Sequence, residues 1–165
     1  MSGSNSITFL NLKKHQGIVF KNGNDAIILT DINPNDKIYQ YSIQPYLDSC
    51  QVSHAAGYNL SANINTAYLE KKYGLIQFLN KRIFIFDRLL QNNMPLQKLK
   101  TDYIYLTGNQ DTGLSNINSN FNYQILVIDG NNTDTSISRI EKAAKSKRIA
   151  YKILKRNNSL ISISN

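Results

Sequence analysis

Residues 124–154 read QILVIDGNNTDTSISRIEKAAKSKRIAYKIL, and this stretch decides the fold class. Two apolar runs, 124–129 and 149–154, flank a segment with helical spacing at 134–147. A strand, a helix and a second strand in this order predict a right-handed crossover that places both strands parallel in one sheet. The sequence therefore predicts an α/β protein.

The predicted helix of this stretch has a recognisable start and two different faces. Thr133 or Asp134 can cap its first turn by accepting hydrogen bonds from backbone N–H groups. Ile137, Ile140 and Ala144 recur on one face, which we expect to pack on the sheet. The other face carries Arg139, Lys142 and Lys145.

The amino-terminal part of the chain predicts a hairpin and a helix. Apolar runs at 17–21 and 25–30 flank Asn22-Gly23-Asn24, and Asn-Gly between such runs is a strong hairpin signal. A strand at 7–12 precedes the hairpin. Helical spacing of apolar residues predicts a helix at 37–50, capped by Asn35 or Asp36.

The rest of the chain adds strands that make the predicted sheets mixed. Residues 51–70 show no readable pattern, residues 94–100 fit a short helix or a loop, and residues 115–121 form a short polar segment. Further strands are predicted at 75–79 and 82–86, joined by a tight turn at Asn80-Lys81, and at 102–107 and 159–163.

Length and composition favour a single globular domain over residues 1–165, with residues 1–6 outside the fold. No apolar run is long enough to span a membrane, and no signal peptide is visible at the start. Cys50 is the only cysteine, so no internal disulfide and no CxxC metal motif can form. We interpret Cys50 as a small core or boundary residue.

A polar turn follows the strand predicted at 102–107. Thr107, Gly108, Asn109, Gln110 and Asp111 crowd the carboxyl end of that strand. Ligand and catalytic sites of α/β proteins are built at this edge of the sheet. The turn is therefore the first place to search for a site.

Several segments together resemble the metallo-β-lactamase-like domain of the ComEC family of bacterial DNA-uptake channels. The family's opening strand, Gly-Gln-Gly turn, hairpin and strand ending in Asp are similar to TFLNLKKHQGIVFKNGNDAIILTD at residues 8–31. KRIFIFD at 81–87 is similar to a later strand that ends in Gly-Asp. TDYIYLTGNQDT at 101–112 falls where the family has a His-His-Gly-Ser turn, and residues 121–163 follow in the family's order.

The resemblance implies a mixed α/β fold, a degenerate metallo-β-lactamase-like αββα sandwich, that lacks the catalytic parts. Active members hold one or two metal ions in an HxHxDH loop with further histidines, and such ions activate water. This chain has two histidines, His15 and His54, and no HxH. We therefore expect no catalytic residues, no metal and no cofactor. The resemblance leaves a vestigial site made of Asp31, Asp87, Asn109, Gln110 and Asp129.

Acids at the strand ends allow one alternative kind of site, and two common motif-based sites are absent. Asp31, Asp87, Asp111 and Asp129 come from separate strand ends and could gather as an oxygen-only site for Mg²⁺ or Ca²⁺. The chain contains no nucleotide-binding glycine motif and no GxSxG, so a phosphate loop and a serine hydrolase are unsupported. Asp129-Gly130 is expected to form a turn with a positive φ at Gly130.

Positive charge is the strongest remaining signal. Lys and Arg number 19 against 11 Asp and Glu, and the net charge of +8 favours an anionic partner. Many of the basic residues lie between positions 139 and 156. The alternatives for this basic cluster are weak contact with duplex DNA, a merely solvated face, or docking on acidic lipid or a protein. The basic candidates are Arg139, Lys142, Lys145, Lys147, Arg148, Lys152, Lys155 and Arg156.

The resemblance implies a specific place for the chain. It would be the non-catalytic carboxy-terminal domain of a ComEC-related membrane protein in competence and DNA uptake, on the extracytoplasmic side of a bacterial inner membrane. Its partners would be the channel part of the same polypeptide and weakly bound DNA, with no small-molecule cofactor. The alternatives are a metal-dependent phosphodiesterase or nuclease with an oxygen-only site, and an interaction module with no DNA role.

Overall fold

The computed structural model describes residues 4–87, 96–109, 113–155 and 157–163. The chain divides into two compact units. Unit 1 contains residues 1–60 and 156–165, and unit 2 contains residues 61–155. Each unit has its own mixed sheet, which confirms the predicted α/β class with mixed sheets. The αββα layering and the single domain over residues 1–165 stay predictions.

Unit 1 is built on a five-stranded sheet in the order β14-β1-β2-β3-β4. All neighbours are antiparallel except β3 and β4, which are parallel. The strand β1 begins inside the segment that was expected to lie outside the fold. The strands are β1 (Asn5–Phe9), β2 (Gly17–Asn22), β3 (Asp25–Thr30), β4 (His54–Tyr58) and β14 (Ser159–Ile163).

The predicted hairpin of β2 and β3 is confirmed. Asn22 pairs with Asp25, and Gly23 takes a φ of 64° in the two-residue turn between them. A left-handed backbone at this position favours glycine because it has no Cβ to clash. The pairing of β1 with the carboxy-terminal strand β14 was not predicted.

The single helix predicted at 37–50 is wrong, because two short helices replace it. They are α1 (Lys37–Ser42) and α2 (Gln44–Ser49). Pro45 lies in the first turn of α2, where its missing N–H is tolerated, whereas it would break a continuous helix. The predicted cap at Asp36 is confirmed, since its Oδ1 accepts a hydrogen bond of 2.9 Å from the backbone N–H of Ile38.

Unit 2 is built on a seven-stranded sheet in the order β13-β12-β10-β8-β7-β6-β5. The first four strands are parallel, and the remaining neighbours are antiparallel. The strands are β5 (Ile64–Asn65), β6 (Leu69–Lys72), β7 (Leu75–Phe78), β8 (Lys81–Phe86), β10 (Tyr103–Leu106), β12 (Ile125–Asp129) and β13 (Ala150–Leu154).

Two helices and a small second sheet complete unit 2. The helices are α3 (Leu114–Asn120) and α4 (Asp134–Ser146), and the two parallel strands of the small sheet are β9 (Leu99–Lys100) and β11 (Phe121–Asn122). The predicted face of α4 is buried. The rings of Phe84, Phe86 and Phe121 contact one another in the same core cluster.

Three local predictions in unit 2 are wrong. The turn after β7 is Leu79-Asn80, since Lys81 already pairs with Phe78. Residues 99–100 form a strand, where a helix or loop was expected, while residues 94–95 lie outside the described residues. Gly130 does not take a positive φ, because the turn from Asp129 to Asn132 keeps the negative φ values of an ordinary turn.

In the described part of the chain, no helix is long and apolar enough to span a bilayer.

Candidate functional site

The carboxyl edge of the parallel strands in unit 2 brings together three of the predicted site residues. Phe86, Leu106 and Ile128 are paired across β8, β10 and β12. The residues that follow them, Asp87, Thr107 and Asp129, therefore lie in one row where the strands end. All three are buried. Asn109 comes two residues later, so Asp87, Asn109 and Asp129 all lie at this edge, and that they are the remnant of a catalytic site stays a prediction.

The turn after β10 directs Asn109 onto the start of α4. Gly108 and Asn109 both have a left-handed backbone, with φ values of 75° and 57°. The side-chain Oδ1 of Asn109 accepts three hydrogen bonds, from the Thr133 backbone N–H at 3.3 Å, the Thr133 hydroxyl at 3.1 Å and the Ser136 hydroxyl at 2.8 Å. Thr133 in turn caps α4, as predicted, by accepting from the Ser136 N–H. Asn109 is therefore a structural residue that fixes a helix start.

Asn132 is the central residue of this edge, and the sequence analysis missed it. Its Nδ2 donates to the backbone carbonyls of Leu106 at 3.0 Å and Asp129 at 2.8 Å. Its Oδ1 accepts from the backbone N–H of Asn109 at 2.9 Å. The buried carboxamide thus joins the ends of β10 and β12. The available signal was an Asn between a strand end and a helix cap, to which the sequence analysis assigned no role.

Asp129 is a buried acid of this edge whose pKa is raised. Burial raises the pKa of its carboxyl to about 6, and a hydrogen bond of 2.8 Å from the Thr107 hydroxyl opposes this shift only in part. Asn131 also accepts from that hydroxyl, at 3.0 Å, and from the Gly108 N–H at 3.2 Å. The carboxyl is consequently engaged in holding the strand ends together.

The raised pKa of Asp129 predicts a pH-dependent stability. Between pH 4 and 6 the folded state holds a proton that the unfolded state lacks, so this group stabilises the fold below pH 4 and loses that contribution as the pH rises through 6. The wild type should therefore gain about 2 kcal/mol relative to Asp129→Asn when the pH falls from 7 to 4. Urea unfolding across this range measures the difference.

A matched variant separates this effect from general acid sensitivity. Asp48 is an exposed carboxyl on α2, and Asp48→Asn should keep the wild-type pH dependence. A constant stability difference between the wild type and Asp129→Asn from pH 7 to 4 would contradict the prediction.

Asp31 belongs to unit 1 and is engaged locally. Its Oδ1 accepts from the Gln16 backbone N–H at 2.8 Å, and its Oδ2 lies 3.0 Å from Nδ1 of His15. The carboxylate therefore fixes the turn that enters β2. Asp31 also lines a cleft of about 260 Å³ together with Asn33, Tyr39 and Tyr58. His54 is exposed, and its Nδ1 lies 3.1 Å from Oδ1 of Asp25.

The described residues do not offer the donor set of a metallo-hydrolase. Among them, no three His, Cys, Asp or Glu side chains lie close enough to hold a metal ion. The resemblance places the turn of Asn109 at the family's His-His-Gly-Ser turn, and Asn109 Oδ1 there accepts three hydrogen bonds from Thr133 and Ser136. Gln110 and Asp111 lie outside the described residues. No reaction step through a metal follows from this geometry.

The basic candidates among the described residues occupy different parts of unit 2. Arg139, Lys142 and Lys145 are exposed on α4, and Lys145 pairs with Glu141 at 3.0 Å. Lys155 pairs with Asp134 at 2.6 Å beside the start of α4. The remaining described candidates, Lys147, Arg148 and Lys152, are exposed near the end of α4 and on β13, while Arg156 lies outside the described residues.

These features define a mixed α/β protein whose strand-end edge, in the described residues, is filled by carboxamides, hydroxyls and two buried acids. The family model of the ComEC C-terminal domain matches residues 7–164, and the chain belongs to this family. The resemblance inferred from the sequence is thereby confirmed. A search of curated proteins finds no match. Family membership suggests a role in competence and DNA uptake, and the family is membrane-associated.

Proposed function

We propose that this chain is a non-catalytic domain of a ComEC-related membrane protein, which holds incoming DNA near the channel part of the same polypeptide. It acts on the extracytoplasmic side of a bacterial inner membrane. The observation that carries the non-catalytic part is the position of Asn109. Its carboxamide lies where the resemblance places the family's His-His-Gly-Ser turn, and its oxygen accepts three hydrogen bonds that fix the start of α4.

Charge supports the DNA-binding part of the proposal. Residues 139–156 contain eight Lys and Arg residues and one acid, Glu141. Of these cations, Lys145 and Lys155 form ion pairs in the described part of the chain. Cations that neutralise phosphates release counterions from DNA, so the affinity depends on salt and only weakly on sequence. Weak binding of this kind suits a domain that keeps DNA close without fixing its register.

Salt-titrated DNA binding by fluorescence anisotropy tests the proposal. We expect the affinity for labelled DNA to fall steeply between about 50 and 200 mM salt, with a slope set by the number of phosphate contacts. Replacing Arg139, Lys142 and Lys145 by alanine removes three positive charges from unit 2 and should weaken binding by roughly three- to tenfold through the lost long-range attraction, equally for unrelated sequences. Binding that is undetectable or insensitive to salt would remove DNA contact from the proposal.

Nuclease assays test the absence of catalysis. We expect no cleavage of single-stranded or duplex DNA in Mg²⁺, Mn²⁺ or Zn²⁺. Metal-dependent cleavage that is lost in Asp87→Asn or Asp129→Asn would overturn the non-catalytic part and favour the oxygen-only phosphodiesterase. Cleavage by a contaminating nuclease would persist in both acid variants. The variant with Arg139, Lys142 and Lys145 replaced retains both acids and serves as the control for the effect of substitution itself.

A further inference from the structure

The topology of unit 2 places two of the basic candidates at the edge of the sheet opposite the vestigial site. β12 and β13 are parallel, so α4 returns the chain from their carboxyl ends to their amino ends. Lys147 and Arg148 follow α4 and therefore lie at the amino edge. A cleft of about 460 Å³ opens there, beside the first residues of β13.

Three cations line this cleft, and they come from two distant parts of the sequence. Lys98 joins Lys147 and Arg148 because β9, which follows Lys98, pairs with β11. Within the described part of the chain, none of the three forms an ion pair, and no carboxylate lines the cleft. Asp102 lies at the same edge but does not line the cleft, and its Oδ2 accepts a hydrogen bond of 2.8 Å from the backbone N–H of Arg82. The positive charge of the cleft is consequently not neutralised by an acid in its lining.

Arg148 stands where a helix end favours glycine. The N–H of Arg148 donates to the Lys145 carbonyl and the N–H of Ile149 donates to the Ala144 carbonyl, which is the Schellman pattern of a helix end. Arg148 has a φ of 55°, a left-handed backbone that an arginine adopts at a cost and glycine adopts freely. Helix termination therefore does not explain the arginine, and its exposed guanidinium is available to a ligand.

Neutral polar groups complete the lining. Asn122 and Gln124 are exposed, and Asn118 accepts a hydrogen bond of 2.7 Å from the hydroxyl of half-buried Tyr123. Carboxamides donate and accept hydrogen bonds with sugars, phosphates and base edges alike. The cleft thus combines three cations with uncharged hydrogen-bonding groups, which is the chemistry of a polyanion site.

We propose that this amino-edge cleft binds the phosphodiester backbone of DNA, with Lys98, Lys147 and Arg148 as the phosphate-binding residues. This inference rests on the proposed DNA contact and gives it a location. It places bound DNA at the edge of unit 2 opposite Asp87, Asn109 and Asp129. The vestigial site then takes no part in holding DNA.

The test compares two double variants that remove the same charge. Lys98→Ala with Lys147→Ala should lower the affinity for labelled DNA about tenfold and reduce the salt slope by roughly 1.4–1.8, the value for two phosphate contacts. Lys142→Ala with Lys155→Ala removes two cations outside the cleft and should lower the affinity less than threefold. Single-stranded and duplex oligonucleotides, measured in parallel, distinguish the two forms of the ligand.

Arg148→Gly gives a readout that damage to the fold cannot mimic. Glycine relieves the left-handed strain, so we expect Tm to rise by about 2–4 °C while DNA affinity falls. A residue acting only at the helix end would leave the affinity unchanged. A fall in affinity together with a higher Tm supports direct phosphate contact by Arg148.

The outcomes separate this inference from the function on which it rests. Salt-dependent binding by the wild type with equal losses in both double variants overturns the cleft and leaves the DNA contact standing. No salt-dependent binding by the wild type overturns both. Cleft variants that lose binding to vesicles of acidic lipid, while DNA affinity is unchanged, would overturn DNA as the ligand.

Discussion

Replacing Asn132 by alanine is expected to lower the free energy of unfolding by about 3–5 kcal/mol. The carboxamide of Asn132 is the partner of three backbone groups, the carbonyls of Leu106 and Asp129 and the N–H of Asn109. Asn132 is 5% exposed, so water cannot readily replace these partners. A buried polar group without a partner costs about 1–3 kcal/mol, and the Leu106 carbonyl and the Asn109 N–H both lose this partner, whereas the Asp129 carbonyl keeps the backbone N–H of residue 132. Equilibrium unfolding in urea measures the loss.

Asn131→Ala is the matched control for this prediction. Asn131 is adjacent, carries the same side chain and accepts from the Thr107 hydroxyl and the Gly108 N–H. It is only half-buried, so water can take over part of its role and the expected loss is about 1 kcal/mol. Equal losses in the two variants would show that Asn132 does not hold the strand ends together.

Raising the pH from 7 to 9.5 should stabilise unit 2 through Lys71. This lysine on β6 is 1% exposed, and burial lowers the pKa of its ammonium to about 8. Its Nζ donates to the carbonyls of Ala62 at 2.8 Å and Tyr73 at 2.6 Å, and both acceptors are uncharged. Above pH 8 the folded state has released a proton that the unfolded state keeps until about pH 10.5, so stability rises with pH in this window.

The expected gain from this titration is about 2 kcal/mol by pH 9.5, and it should disappear in Lys71→Met. Lys72→Met, which changes the exposed neighbour on the same strand, should keep the gain. The upper limit of pH 9.5 avoids the tyrosines, since burial raises the pKa of Tyr46 and Tyr123 to about 12 and their ionisation favours unfolding at higher pH. A stability difference between wild type and Lys71→Met that does not change with pH would contradict the prediction.

Local sequence patterns predicted the elements whose signals lie within a few residues. The β2–β3 hairpin follows from Asn-Gly between apolar runs, and the limits of α4 follow from its cap and its apolar spacing. Pro45 is the local signal for the break between α1 and α2, whereas the regular spacing of Tyr39, Ile43 and Leu47 by itself predicts one continuous helix. Those three residues are indeed buried together, so the apolar face was right and the continuous helix was wrong.

Residues 51–70 gave no pattern because their strands are short or exposed. β4 is an edge strand with the small residues Ala55, Ala56 and Gly57, and none of these is buried. β5 contains only two residues. Neither alternation nor an apolar run can mark strands of this kind, which form because a neighbouring strand offers hydrogen bonds. Pairing with β3 and β6 therefore created structure that local propensity does not encode.

The sequence by itself determined the supply of chemical groups: two histidines, an excess of eight positive charges and the order of strands and helices that indicated the family. Only the tertiary structure decided which groups meet. Asn109 contacts Ser136 across 27 residues, and Lys98 reaches the cleft of Lys147 and Arg148 across about 50. Such contacts depend on the order of strands in the sheet, and that order is set by long-range pairing and burial of apolar surface.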